Sequence, residues 1–300
     1  MQLISFEADA AVRIGAIRDD DVVDLGAALL SAGSGAPPHA ESVFSDMAAF
    51  LAWSDGDFRV LEPAVAAASG SAVRPLADVR ILAPISRPGK IIGVGRNYGA
   101  HAAEGGLGRQ EEPRLFVKMA TSVIGPEEAI ICPKGIVKLD WEVELAAVVG
   151  RTMKNVAPGD ALAYVAGYTL LNDISAREYQ FDVAPPQTTF AKSMDTFTPM
   201  GPWLATADTF DGAGDHDLRC YVNDVLMQDG NTHDMIFSTA YILSYISRFV
   251  TLEPGDVIAT GTPSGVGHFR DPPVYLKAGD TVRLESPGLG ALTNPVAASR

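Results

Sequence analysis

Cysteine is scarce in this chain, with only Cys132 and Cys220 among 300 residues. Two such residues give neither a disulfide framework nor the paired spacing of a zinc site, so two reduced, packed thiols are expected and no thiolate chemistry. Basic residues are also few: 23 Lys+Arg stand against 37 Asp+Glu, for a formal net charge of -14. No basic cluster is present to offset phosphate repulsion, and nucleic acid is not an expected partner. Long apolar runs are missing too. None approaches the roughly 20 residues needed to cross a bilayer, and the opening MQLISFEADA lacks the basic and apolar regions of a signal peptide. The expectation is a cytoplasmic protein with no membrane partner. Phosphate-binding signatures fail as well. GTPSGVG, Gly261 to Gly267, lacks the Lys-Ser/Thr ending of a phosphate loop, and in IIGVGRNYG the third glycine of a dinucleotide fingerprint would fall on Tyr98.

What is present is an ordinary globular composition, 47% hydrophobic and 20% charged, long enough for a small unit plus a large one. Residues 1 to 25 read as short alternating strands, LISFEAD, VRIGAIRD and DVVDL. VFSDMAAFLAW then suits a helix behind the breaker-rich SGAPPHA. These segments make a small N-terminal α+β domain over residues 1–80, and the proline-bearing VRPLADVRILAPISRPGK is an extended connector. Over 81–300 strand-like runs recur, among them RLFVKM, EVELAAVVG, AYVAGYTLLND, GPWLATA, RCYVNDVLM and TVRLES. Helical patterns are few, the clearest being MIFSTAYILSYISRFV. The expected fold class is α+β, mostly β, with an antiparallel rather than doubly wound main domain.

In LDWEVELAAVVG, Glu142 and Glu144 lie two apart on a strand, so both carboxylates point to one face while Trp141, Val143 and Leu145 take the other. Two like charges on a largely apolar strand are costly unless a cation, protons or solvent compensates. An isolated E-x-E is equally what a solvated edge strand shows. A third carboxylate, Asp173, ends the apolar run AYVAGYTLLND, where a rigid element can present an oxygen ligand. Oxygen-only ligation, without Cys or a nearby His, favours Mg2+ or Mn2+ over Zn2+.

The stretches VGRNYGAHAAE, LFVKMATSVIGP, LDWEVELAAVVG, LLNDISARE, FAKSMDTFTPMGPW, QDGNTHDMIF and GDVIATGTPSGVG follow one another over about residues 90 to 270. In kind and order they resemble the motifs of the fumarylacetoacetate hydrolase family, and the first 80 residues resemble the small extra domain of its bacterial members. That resemblance implies a C-terminal β-roll of mixed sheets, a homodimer, and Mg2+ or Mn2+ held by Glu142, Glu144 and Asp173.

His101 and Glu104 are three apart, so a short helix makes them neighbours and lets the carboxylate orient the imidazole as a base for water. An exposed pair on a loop has the same spacing. The resemblance implies the catalytic role, on a lid flanked by Gly99, Gly105 and Gly106. For Lys192, in FAKSMDTF, it implies an ammonium near the metal that stabilises substrate charge. Arg177 and Gln180 follow Asp173 by four and seven residues, a helical spacing that could aim both at the metal face. Arg177 then reads either as a bidentate grip on a substrate carboxylate or as a surface ion pair. Within the family pattern Thr262 resembles a substrate-carboxylate contact, and Lys118 matches another charged substrate-site position.

The expected partner is therefore a small 2-oxo or 2,4-dioxo acid. The expected activity is metal-dependent hydrolysis of a carbon-carbon bond in an acylpyruvate or fumarylpyruvate, with His101 and Glu104 activating water and Lys192 stabilising the enolate that leaves. The alternatives are an isomerase or decarboxylase of a related diacid in aromatic catabolism, or an oxo-acid binding protein without turnover.

Overall fold

Aliphatic and β-branched runs separated by turn residues build the sheets of this chain. The structure, a computed structural model, describes residues 1–33, 37, 39–104 and 110–299. The largest sheet has 12 strands, and its centre is the antiparallel pair Val143–Val149 and Val165–Asn172, in register from Val143↔Asn172. Both strands are buried at every position, which is why, apart from Glu144, Thr169 and Asn172, neither shows a polar face alternating with an apolar one. Outward from Val165–Asn172 lies Thr198–Thr206, which pairs with Gln2–Ala8 and so joins the hairpins of the first 24 residues to the same sheet. Outward from Val143–Val149 lie Val257–Ala259, then Ile91–Gly95 in parallel pairing, then the edge strand Arg114–Lys118. A second, five-stranded sheet carries Asp217–Val222 and Thr281–Ser286. The architecture is α+β and mostly β, with mixed sheets.

The two faces of strand Val143–Val149 have different covers. Trp141, Val143, Leu145 and Ala147 pack toward the five-stranded sheet with Leu218, Cys220 and Leu284. Ala146 and Val148 pack with Leu3, Phe50 and Leu51 of the N-terminal region. Each such fully buried aliphatic side chain contributes about 1.5–3 kcal/mol. Glu142 and Glu144 share the parity of Ala146 and Val148, so the N-terminal helices cover only one end of that face.

Local chemistry explains where elements start and stop. Within VFSDMAAFLAW the helix begins at Met47 because Asp46 accepts from the Ala49 amide at 2.9 Å. Helix Thr239–Phe249 is capped by Ser238 and buries Ile242, Leu243 and Ile246. RCYVNDVLM is not one strand: Asn223 and Asp224 both have positive φ, 51° and 63°, and turn it into a hairpin. Both cysteines are free, and Cys220 is buried. No helix among the described residues is long and apolar enough to cross a membrane.

Candidate active site

Antiparallel pairing at the end of the two central strands brings the acids together. Val143 pairs with Asn172, the Asp173 amide donates to the Glu142 carbonyl at 2.9 Å, and the Glu142 amide donates to Asn172 Oδ1 at 3.0 Å. One carboxylate oxygen from each of Glu142, Glu144 and Asp173 lies within 4.8 Å of the others, and all three side chains are buried. A set of oxygen donors at that separation fits a hard divalent cation.

Charge pairing sharpens the fit. Lys192 Nζ donates to Glu142 Oε2 at 2.9 Å, to Asp173 Oδ2 and to Ser175 Oγ. Lys118 Nζ donates to Asp173 Oδ1 at 2.6 Å and to the carbonyls of Lys192 and Phe197. Glu142 also meets Arg177 Nη1 at 2.7 Å. Burial opposes ionisation of Glu142, yet Lys192 and Arg177 hold its carboxyl well below the usual range. Among the described residues Glu144 has no such partner and accepts only from the Gly261 amide, at 2.8 Å. Burial, with Asp173 and Glu142 beside it, pushes its carboxyl well above the ordinary value. A bound cation is the compensation this third acid lacks. Gly261 reaches it with φ +103°, and a Cβ there would meet Asn97 Cβ at 2.8 Å, so only glycine fits.

Arg177 is fully buried, which neither a surface ion pair nor a simple substrate clamp anticipates. Its Nε binds Asp140 Oδ2 at 2.9 Å, its Nη1 binds Gln180 Oε1 at 2.7 Å, and its Nη2 has no partner among the described residues. Arg177 and Gln180 come together on the π-helix Glu178–Asp182, which Arg177 caps, and strand Ser175–Ala176 separates that helix from Asp173. Asp140 was missed by sequence reasoning. It is buried and accepts from the Gly267 and His268 amides as well as from Arg177. Its signal was present, since D-W-E-V-E continues the alternation of E-x-E by one step.

Helix Gly99–Glu104 sets His101 Nδ1 3.5 Å from Glu104 Oε2, a contact at ion-pair rather than hydrogen-bond distance. Glu104 in turn accepts from the Gly265 amide at 3.1 Å, which ties the helix to the glycine loop. Gly105 and Gly106 lie outside the described residues. Thr262 Oγ1 accepts from Gln228 Nε2 at 2.8 Å, leaving its own proton for another acceptor. A cavity of about 150 Å³ is lined by Glu142, Glu144, Arg177, Gln180, Lys192, His101 and Thr262, with Phe116, Phe181 and Phe269 as apolar walls. Lys118 is not among its lining residues, and its ammonium donates to Asp173 and to two carbonyls. Burial and Lys192 lower its proton affinity while Asp173 raises it, and burial dominates.

The chain is similar to several known proteins. Residues 90–297 match the family described as fumarylacetoacetate (FAA) hydrolase C-terminal. The mitochondrial oxaloacetate tautomerase fahd2 of Xenopus laevis is 46% identical over 219 residues, 73% of this chain and 69% of that protein. A fumarylacetoacetate hydrolase from Exiguobacterium antarcticum superposes with TM-score 0.82 at 34% identity, over 100% of both chains. Maleylpyruvate hydrolase from Sphingobium sp. SYK-6, solved with manganese (II) ion and pyruvate, superposes with TM-score 0.80 at 29% identity, again over 100% of both chains.

Proposed function

This chain belongs to the fumarylacetoacetate hydrolase family, and from that premise we propose that it is a divalent-cation-dependent hydrolase of 2,4-dioxo acids. The observation that carries the reading is the convergence of three buried carboxylates, one of them without a counter-charge among the described residues, two of which line a cavity shared with Arg177, whose Nη2 has no partner among those residues. Glu142, Glu144 and Asp173 hold Mg2+ or Mn2+. When bound, such an ion supplies a Lewis-acidic centre for the carboxylate and 2-oxo oxygens of the substrate.

The remaining steps belong to the chain's own side chains. Arg177 Nη2 and the Thr262 hydroxyl donate to the substrate carboxylate. His101, oriented by Glu104, takes a proton from water as the water oxygen bonds to the 4-carbonyl carbon. The bond between C3 and C4 then breaks, its electron pair stays with the pyruvyl fragment, and a proton is returned to C3. Pyruvate and a carboxylic acid result. Lys192 is held as an ammonium because Asp173 and Glu142 outweigh its burial, and it offsets the negative charge growing on the 2-oxo oxygen.

A second reading is favoured by the Xenopus laevis relative, named an oxaloacetate tautomerase. Keto-enol exchange uses the same charge-stabilising site, with His101 moving a proton at C3 and no water entering. Incubation with acylpyruvates and with oxaloacetate, in Mg2+ or Mn2+ and with products followed by NMR, separates the two. Turnover is expected to vanish with chelator and in Glu142→Ala, and full activity without metal would overturn both readings.

We also propose a homodimer. Leu115, Val117 and Met119 are exposed on alternate positions along the edge strand and its end, beside exposed Phe190 and Val250. Such a patch fits a second copy, and hydrodynamic mass tests it.

A further inference from the structure

Two arginines line the cavity without entering any of the chemistry above. Strand Ile91–Gly95 pairs with Arg114–Lys118 so that Gly95 lies opposite Arg114, and Arg96 follows at once with φ 61°. A Cβ at Gly95 would stand 4.0 Å from Arg114 Cδ, so the arginine stem runs over a glycine that leaves it room. Both side chains line the same cavity as Glu142 and Glu144. They differ from the acids in depth: Glu142 and Glu144 are buried, Arg96 is half-buried and Arg114 is exposed. The acids therefore form the inner end of the cavity and the arginines its mouth, with Phe116 and Phe269 among the walls.

Neither guanidinium has a carboxylate within ion-pair distance among the described residues, in a chain with 37 acidic residues to choose from. Burial lowers the proton affinity of Arg96, and the charged group that adds to this is Arg114 itself. Two cations gathered at the mouth of a cavity repel one another unless an anion joins them. We propose that Arg96 and Arg114 bind a second carboxylate, at the substrate end remote from the three acids, and make this site selective for dicarboxylic oxo-acids. The inference rests on the proposed oxo-acid site and adds to it the chemistry of the substrate's far end. The inner carboxylate is held by Arg177, the carbon chain lies along apolar walls, and the outer carboxylate meets a guanidinium pair with the bidentate geometry that suits it.

The test is calorimetric binding in Mn2+ of oxaloacetate, 2-oxoglutarate and 2-oxoadipate, each beside the 2-oxo monoacid of equal chain length, with oxalate as the probe of the inner end. At least one diacid is expected to bind the unmodified chain more tightly than its monoacid, by on the order of 10- to 100-fold. Arg96→Gln and Arg114→Gln should each bring that ratio toward one, while Arg114→Lys keeps part of it because the charge remains. Arg114 is exposed, so its substitution leaves folding intact, and a melt confirms this. Oxalate bound in Mn2+ with no diacid preference, or with a preference that survives both glutamine substitutions, overturns the arginine assignment and leaves the oxo-acid site standing. Failure of the unmodified chain to bind oxalate in Mn2+ overturns both.

Discussion

Glu144→Gln should make the metal-free protein more stable and the metal-saturated protein no more stable than that. Glu144 is buried, bonded only to the Gly261 amide, and shares a 4.8 Å cluster with two further carboxylates. At an effective dielectric near 20, each unit-charge pair at about 5 Å repels by about 3 kcal/mol. Glu144 escapes part of this by holding a proton, since its carboxyl is displaced well above the ordinary value by burial and by Asp173 and Glu142. A neutral amide can still accept from Gly261, and it recovers about 1 to 3 kcal/mol, a rise of about 2 to 10 °C in Tm without metal. In the unmodified chain, metal at a hundredfold excess over Kd adds about 2.7 kcal/mol, and the variant loses most of that gain. The sign with pH follows from the raised carboxyl. The folded chain binds more protons than the unfolded one, so metal-free stability falls as pH climbs above the ordinary carboxylate value of about 4.3. The advantage of the variant therefore widens across that window. Glu142, displaced downward, contributes in the opposite sense and in a lower window: its stabilisation is lost as pH falls below the ordinary value. Differential scanning calorimetry with and without Mn2+, over a pH series, measures all of this. Equal melting temperatures without metal, together with an equal metal-induced shift, would refute the charge argument.

Three further outcomes are expected. Lys192→Met leaves Glu142 and Asp173 with one fewer cation and should cost about 3–5 kcal/mol in metal-free stability; metal should restore more of it than in the unmodified chain, as melts in a metal titration will show. Asp140→Asn removes the charge and replaces by an NH2 donor one of the two oxygens that fix Arg177 and two loop amides, and should cost about 1–3 kcal/mol while raising KM more than it lowers kcat, because Arg177 is then misplaced. His101→Asn should lower kcat by about 10²- to 10⁴-fold with Mn2+ affinity retained, which isothermal titration beside steady-state kinetics will separate.

How much of this site could be read from sequence depended on how local its geometry is. Glu142 and Glu144 were legible because strand alternation is a two-residue rule, and Asp173 because it closes an apolar run at a polar turn. The position that escaped is held by partners far along the chain: Asp140 takes its meaning from amides 127 and 128 residues away. Lys118 was legible as a charged position, but its bond to Asp173 spans 55 residues and follows from no local pattern. For Arg177 and Gln180 the spacing suggested a helix, and a π-helix does join them, but a short strand interrupts it before Asp173. In the fold, the run of strands and the helix Thr239–Phe249 were visible as apolar patterns. The start at Met47 and the hairpin at Asn223–Asp224 instead depend on single side chains, a cap and a pair of left-handed residues, which an apolar count does not weigh.

The charge count of the buried cluster connects its stability to its chemistry. Asp140, Glu142, Glu144 and Asp173 face Lys118, Lys192 and Arg177, and the pairing leaves the surplus on Glu144, which no cation among the described residues touches. Had the surplus fallen on Asp173, Lys192 and Lys118 would not both be bonded to it, and the ammonium of Lys192 would be free to wander from the cavity. Placing the deficit on Glu144 keeps Lys192 fixed between two acids and keeps Arg177 anchored through Asp140 with one nitrogen still available. A divalent ion then adds charge where it is missing without displacing a structural pair from Asp140. The positive groups that must meet an oxo-acid are thus held in place by carboxylates that belong to the folded framework, a preorganisation that spares the reaction the reorientation of its own dipoles.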